Sequence, residues 1–132
     1  MPEVTLIFAT ILSLFMLVLS FRVLDLRGSP ITKFLHKPDR IVDDKTLQRS
    51  IRGHGNLIEY APLFLILMLV LELSGLPQTL LYFSGIIFTV GRLMHGIVFS
   101  FMKRNIFLRI GGMVLTFAGF LSLITASITL LF

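Results

Sequence analysis

The chain has 132 residues and a formal net charge of +5, with hydrophobic residues making up 55% and charged residues 14% of it. This length holds one domain, and the low charged fraction excludes an ordinary soluble domain, in which about a quarter of the residues are charged. A mean hydropathy of +0.93 indicates a chain surrounded largely by lipid. The absence of cysteine excludes disulfides, thiolate ligands and cysteine nucleophiles. His36 and His54 are dispersed and expected in solvent or loops, so no metal site is expected.

Four apolar stretches are long enough to cross the hydrocarbon core as helices, which takes about 20 residues each. The first, Val4 to Phe21, carries no charge. It lacks a basic segment before it and a small-residue cleavage site after it, which favours a membrane span over a signal peptide. We therefore expect an all-α membrane protein, a bundle of four transmembrane helices in a single domain, 1–132. The predicted helices cover residues of about 4–27, 45–74, 77–101 and 106–131.

Basic residues concentrate in two of the three connections between these helices. Residues 27–52 hold seven basic and three acidic side chains, and the third connection adds Lys103, Arg104 and Arg109. The positive-inside rule places both connections in the cytoplasm and both termini on the opposite side. Because these cations lie beside membrane spans, the pI near 10.3 indicates topology rather than a nucleic-acid partner. The compactness of the chain favours a bacterial inner membrane over the endoplasmic reticulum.

The second predicted helix carries polar side chains that a membrane span should not contain. Arg49, Arg52, Asn56 and Glu59 follow one another at spacings of three, four and three residues. At about 100° per residue they fall within a stripe about 80° wide, with His54 on the opposite side. Ionisable residues inside a membrane are costly, so this stripe is a candidate functional site.

The third predicted helix repeats the pattern, with Arg92, His95 and Phe99 on one face. Arg27 ends the first helix and Arg109 begins the fourth at the same, cytoplasmic end of the bundle. The sequence therefore predicts that polar groups from all four helices gather at this end.

The composition of this cluster indicates the ligand it suits. Arginine forks bind carboxylates bidentately. Glu59 can pair with an ammonium group, and Asn56 both donates and accepts hydrogen bonds. A small zwitterion with more than one carboxylate fits, and glutathione is one instance. The alternative is internal ion pairing of Glu59 with Arg52 or Arg92, which would serve only to let the helices insert into the membrane.

Small residues recur every seven positions along the fourth helix, at Gly112, Gly119 and Ala126. Such a stripe lets helices approach closely in lipid. It predicts either packing within the chain or an interface between subunits, and the sequence does not decide between them.

Two motifs in the central helices resemble those of a known family. The run from Arg49 to Phe64, RSIRGHGNLIEYAPLF, resembles the second-helix signature of the superfamily of membrane-associated proteins in eicosanoid and glutathione metabolism (MAPEG). Gly91-Arg92-Leu-Met-His95 resembles its third-helix motif. The superfamily includes microsomal glutathione transferases, leukotriene C synthase and microsomal prostaglandin E synthase, and its four helices and long first loop match the whole chain.

The resemblance implies a homotrimer that binds glutathione, as co-substrate, between neighbouring subunits near the cytoplasmic face. The implied glutathione contacts come from the first three helices: Arg27, Arg49, Arg52, Asn56, Glu59, Tyr60, Arg92 and His95. Arg27 matches a first-helix arginine that reaches the site from the neighbouring subunit. His95 falls where members carry His or Tyr.

In active members an arginine at the start of the fourth helix stabilises the thiolate. Arg109 is the expected catalytic residue, with Arg104 as its competitor. Phe99 departs from the family pattern, since several members have Tyr there. This departure puts in question the exact reaction rather than the fold.

The implied function is a membrane-bound glutathione transferase that activates the glutathione thiol for attack on a lipophilic electrophile. Reduction of hydroperoxides would use the same thiolate, and the sequence does not separate the two reactions. A non-catalytic lipid-binding or scaffold member of the superfamily is the alternative, kept open by Phe99. A proton-coupled drug exporter is disfavoured, because such a transporter needs a carboxylate deep in the first helix and none lies between Val4 and Phe21.

Overall fold

The computed structural model describes residues 1–132, the whole chain. It contains four α-helices and one short 3-10 helix, the loop helix, at Pro30–Leu35. Each α-helix is long and apolar enough to cross a membrane, which confirms the expected class of an all-α, four-helix membrane protein. The helices are α1 (Glu3–Leu26), α2 (Asp44–Leu73), α3 (Gln78–Phe101) and α4 (Ile106–Leu131). Their ends differ from the expected ones by one residue at most.

Local sequence signals account for several helix ends. α4 begins where the Asn105 side chain accepts a hydrogen bond from the Leu108 amide at 3.1 Å. α2 ends before Gly75, whose φ of 84° lies in the left-handed region that glycine reaches without strain. Pro77 then precedes α3. Asp43 occupies the N-cap position of α2, but its side chain makes no capping hydrogen bond.

The α3 helix is the centre of the bundle. It packs against α1, α2 and α4, whereas α1 and α4 do not touch each other. In the most apolar 18-residue window of α3, 56% is buried inside the chain. The corresponding windows of the other three helices are 22–33% buried. Polar side chains of α3 therefore point into the protein, and those of α2 and α4 divide between the interior and the outer surface.

Glycines allow α3 and α4 to approach closely. A Cβ atom added at Gly91 would lie 2.7 Å from the carbonyl oxygen of Gly112, and one added at Gly119 would lie 2.8 Å from the Cβ of Phe88. Ala126, the third member of the predicted stripe, is also buried. The stripe of small residues therefore serves packing within the chain.

The end of the bundle away from the long loop is closed by Glu72. Its carboxylate accepts hydrogen bonds from the backbone amides of Val4 at 2.8 Å and Thr5 at 2.7 Å. These amides belong to the first turn of α1, where no intrahelical acceptor exists and negative charge is favourable. Glu72 thus ties the start of α1 to the end of α2.

Candidate functional site

A pocket of about 350 Å³ lies at the loop end of the bundle, between α2, α3, α4 and the α3–α4 connection. We call it the cationic pocket, because five of its nine lining residues are cationic and none is acidic. The lining residues are Arg49, Arg52, Val98, Phe99, Lys103, Arg104, Asn105, Ile106 and Arg109. Such a concentration of positive charge beside low-dielectric helices favours binding of an anion.

Arg52 and Arg109 face the cationic pocket with unused hydrogen-bonding capacity. Both side chains are exposed, and neither makes a hydrogen bond or ion pair within the chain. The guanidinium of Arg109 lies 5.5 Å from the ring centroid of Phe99. Arg104 lines the same pocket. Each of these guanidinium groups is therefore available to a ligand, and Arg104 and Arg109 both stay candidates for the thiolate.

Arg49 has a different role in the structure. Its guanidinium donates to the carbonyl oxygens of Val98 at 3.1 Å and Met102 at 2.6 Å, and to that of Lys103. Carbonyl groups at a helix C-terminus lack intrahelical donors, so Arg49 caps α3. It contributes charge to the wall of the pocket, while its donors are largely committed to the backbone.

Arg92 organises the interior beneath the polar stripe of α2. Its side chain is fully buried, with 1% of the residue exposed. Nη1 donates to Oδ1 of Asn56 at 2.6 Å, and Nε donates to Oγ1 of Thr116 at 2.9 Å. The guanidinium also lies 4.9 Å from the ring centroid of Tyr60. Arg92 thus fixes Asn56 and Tyr60 from below, and the Asn56 amide group keeps its own donors for another partner.

Glu59 does not form the internal ion pair that the sequence left open. The ion pairs of the chain all involve Asp25, and Glu59 bonds neither Arg52 nor Arg92. The Glu59 side chain is exposed on the outer face of α2. It is 14 residues from the end of α2 at Leu73, or about 21 Å along the axis, a distance shorter than the thickness of a hydrocarbon core, about 30 Å. The internal-pairing interpretation is therefore wrong.

The stripe on α2 continues the cationic pocket into the membrane-spanning part of the bundle. Arg52 lines the pocket, and Asn56 and Glu59 follow at successive turns of the same helix. Beside them, the Tyr60 ring packs against Phe117 and Phe120 of α4, with centroids 6.4 Å apart in both cases. A ligand in the pocket could therefore extend along α2 and meet an aromatic wall.

His95 lies behind the pocket rather than in its lining. It is buried and stacks on Phe99, with the ring centroids 4.7 Å apart. A Cβ atom at Gly112 would lie 3.2 Å from the Cβ of His95, so the histidine sits at the close approach of α3 and α4. The Phe99 ring thus has both His95 and Arg109 as neighbours.

The structure does not bring Arg27 together with the other predicted site residues. Arg27 is exposed at the end of α1 and borders a cavity of about 620 Å³ formed with the first connection. It also borders a smaller one of about 310 Å³ beside His54. His54, expected in solvent, forms a 2.8 Å hydrogen bond with Ser20 of α1.

One polar cluster was missed by the sequence patterns. Asp25, the penultimate residue of α1, bonds His36 Nδ1 at 2.9 Å, Arg40 Nη1 at 3.0 Å and Arg22 Nη1 at 3.3 Å. Arg40 also donates to the Asp25 carbonyl oxygen at 2.7 Å. We call this group the loop clamp. Its sequence signal was a lone carboxylate at the end of an apolar helix, followed by a basic loop.

The fold and the site together define a class of protein. It is a four-helix, multi-pass integral membrane protein with a cationic pocket at one end of its bundle. The MAPEG family model matches residues 5–129, and the chain belongs to the MAPEG family, as the motifs of α2 and α3 predicted.

Two curated relatives match the chain with significance. Both are named inner membrane protein YecN, from Escherichia coli strain K12 and from Escherichia coli O6:H1. Each is 37% identical over 82 residues, which cover 62% of this chain and 61% of the relative. The match thus spans about three-fifths of the length of these relatives. No solved structure matches with significance.

Proposed function

We propose that the protein is a membrane-bound glutathione-dependent transferase that activates the glutathione thiol for attack on a lipophilic electrophile. The observation that carries the proposal is the cationic pocket, with five cationic side chains, no acid, and the exposed guanidinium groups of Arg52 and Arg109. Membership of the MAPEG family supports it, since glutathione transferases occur in that family.

The polar stripe matches the groups of glutathione one by one. The tripeptide carries two carboxylates and one ammonium group. Arg52 can take a carboxylate bidentately, and the Asn56 amide can donate to a second acceptor because Arg92 already holds its oxygen. Glu59, the acid on this face of α2, suits the ammonium. Tyr60 and Arg92 then act by shaping and orienting the stripe.

The proposed chemistry requires a thiolate. A free thiol titrates near pH 8.5, and nearby positive charge favours the anion. Arg109 supplies a guanidinium in the first turn of α4, where the positive helix end adds to its effect. The thiol proton passes to water, the sulfur forms a bond to the electrophilic carbon, and the leaving group departs with its electron pair. Reduction of a lipid hydroperoxide would use the same thiolate.

A homotrimer would complete this site. A carboxylate that faced lipid at the depth of Glu59 would be costly, and a neighbouring subunit with bound glutathione removes that cost. Arg27, which lies apart from the pocket within one chain, would then reach the site of the next subunit. The first and third connections would face the cytoplasm, and a bacterial inner membrane, as in the names of the relatives, is the proposed location.

A non-catalytic scaffold is the second candidate, and Phe99 is the observation in its favour. Phe99 lines the pocket beneath Arg109 and offers no hydroxyl to a thiolate. A scaffold of this kind would hold a lipid or a glutathione-like anion without turnover.

Calorimetric titration of the detergent-solubilised protein with glutathione tests the proposal. We expect Arg52→Ala to weaken binding by about tenfold to a hundredfold, the worth of a charged hydrogen bond, and Arg109→Ala to bind nearly normally. Lys45→Ala, an exposed charge outside the pocket, is the matched control. Conjugation of a generic aryl halide by the wild type separates the transferase from the scaffold. Equal binding by all variants would contradict the proposed site.

A further inference from the structure

The first connection between helices contains a surface of which the proposed glutathione site uses Arg27 alone. The loop helix exposes large apolar side chains, with Ile31 64%, Phe34 81% and Leu35 62% exposed. Ile31 and Phe34 are three residues apart, so they share one ridge of a 3-10 helix. Thr32, between them in sequence, is 1% exposed, which anchors the loop helix against the rest of the chain.

Basic side chains lie close to this apolar ridge in the sequence. Arg27, Lys33, His36 and Arg40 line the cavity of about 620 Å³ beneath the loop, and no acidic residue does. Lys37 directly follows His36 in the sequence. The loop clamp uses His36 and Arg40, whereas the side chains of Arg27, Lys33 and Lys37 make no hydrogen bond or ion pair within the chain. Lys33 and Lys37 are therefore free to meet other anions, and Arg27 is assigned to the proposed glutathione site.

The loop clamp fixes the position of this surface relative to the end of α1. His36 and Arg40 bond to Asp25, which is one residue from the end of the membrane-spanning helix α1. Ile31 follows Leu26 by five residues, so it cannot be farther from it than about 18 Å. The segment between Leu26 and Arg40 is thus held beside the end of α1, a helix long and apolar enough to cross a membrane.

We infer that residues 28–40 form an interfacial docking surface for anionic phospholipid. The ridge of Ile31 and Phe34 inserts at the boundary of headgroups and acyl chains, while Lys33 and Lys37 bind lipid phosphates. Apolar ridges flanked by lysine and arginine associate with membranes in this way. Each cation near an anionic surface contributes about a fivefold factor to association. The role of the loop clamp is to hold the surface against the end of α1.

The chain has no tryptophan, so a single Phe34→Trp reporter would be unambiguous. The reporter protein is reconstituted in phosphatidylcholine vesicles with and without phosphatidylglycerol. We expect blue-shifted emission that brominated lipids quench, more strongly when phosphatidylglycerol is present. Lys33→Gln with Lys37→Gln in the reporter background should lower the ratio of docked to undocked loop by about fivefold per lysine. Lys45→Gln is the matched control and should leave the quenching unchanged. Arg27 is not varied, because the proposed glutathione site also uses it.

Three results would overturn the inference. An emission maximum of the Phe34→Trp reporter typical of an aqueous environment, without quenching by brominated lipids, would place the loop in solvent. Blue-shifted emission that brominated lipids do not quench would mean that protein, such as a second copy of the chain, covers the ridge. The same spectral change on adding inorganic phosphate in detergent would identify a site for free anions. An Ile31→Trp reporter on the same ridge serves if the Phe34 variant does not fold, as judged by helical circular dichroism.

Discussion

Asn56 Oδ1 lies 2.6 Å from Nη1 of Arg92, so the central helix α3 sets the orientation of a polar side chain on α2. Arg92 is buried without a carboxylate partner, and its other bonds reach Thr116 and Met113 on α4 and the carbonyl oxygen of Asn56. One guanidinium therefore ties three helices together directly beneath the stripe that begins in the cationic pocket. We therefore propose that Arg92, predicted from the sequence as a glutathione contact, acts by positioning Asn56.

Arg92→Met should weaken glutathione binding without touching the ligand. The change leaves the half-buried Asn56 Oδ1 without its partner, which costs less than the roughly 1–3 kcal/mol of a fully buried acceptor, and it frees the amide to rotate. Titration calorimetry should show a loss of affinity, together with a lower thermal midpoint of unfolding. Arg92→Lys is the informative comparison, because it keeps the charge and loses the fork that bonds Asn56 and Thr116 together. Full affinity in Arg92→Lys would show that charge alone is needed.

Gly91→Ala should destabilise the bundle. The added methyl group would lie 2.7 Å from the carbonyl oxygen of Gly112 and 2.8 Å from the amide nitrogen of Thr116. Relief requires α3 and α4 to separate, and such overpacking costs about 1–3 kcal/mol. Thermal unfolding in detergent measures the effect. Gly55→Ala is the matched control, since nothing lies within 4 Å of a Cβ there and alanine favours a helix. A Gly91 variant as stable as the Gly55 variant would contradict the close packing.

Glu72→Gln should loosen the start of α1 while leaving the distant pocket intact. The carboxylate accepts two amide hydrogen bonds from Val4 and Thr5, and helix caps of this kind contribute about 0.5–2 kcal/mol. Hydrogen exchange of the first amides of α1 should accelerate, and the glutathione affinity should not change. Glu3→Gln, an exposed acid in the same turn of α1, should have a smaller effect. Unchanged exchange in Glu72→Gln would show that water replaces the cap at no cost.

The sequence predicted the helices well because each apolar run is bounded by charges or by glycine and proline. It also predicted the stripe on α2, since residue spacing determines which side chains share one face of a helix. Spacing does not fix distances between helices, so it could not show that Glu59 stands alone or that Arg92 bonds Asn56. The engagement of Arg49 with the end of α3 depends on tertiary contacts for the same reason. The Asp25 clamp requires the path of an irregular loop, which no periodic pattern encodes.

Phe99→Tyr should strengthen the interaction with the glutathione sulfur. Phe99 lines the pocket, and its ring centroid is 5.5 Å from the guanidinium carbon of Arg109, so a phenolic hydroxyl would enter the region proposed for the thiolate. One added hydrogen bond of about 0.5–1.5 kcal/mol corresponds to roughly twofold to tenfold in affinity or in turnover. Conjugation of an aryl halide measures the turnover, and calorimetry measures the affinity. A scaffold would gain affinity without any turnover.

The most direct test of the proposed thiolate site is the near-ultraviolet absorbance of glutathione mixed with the purified protein at neutral pH. The wild type should produce the absorbance of a bound thiolate, Arg109→Ala should bind glutathione without that signal, and Arg104→Ala should retain it. Loss of the signal in Arg104→Ala instead would transfer the catalytic role to Arg104. A wild type that binds glutathione only as the thiol, or does not bind it, would contradict the account.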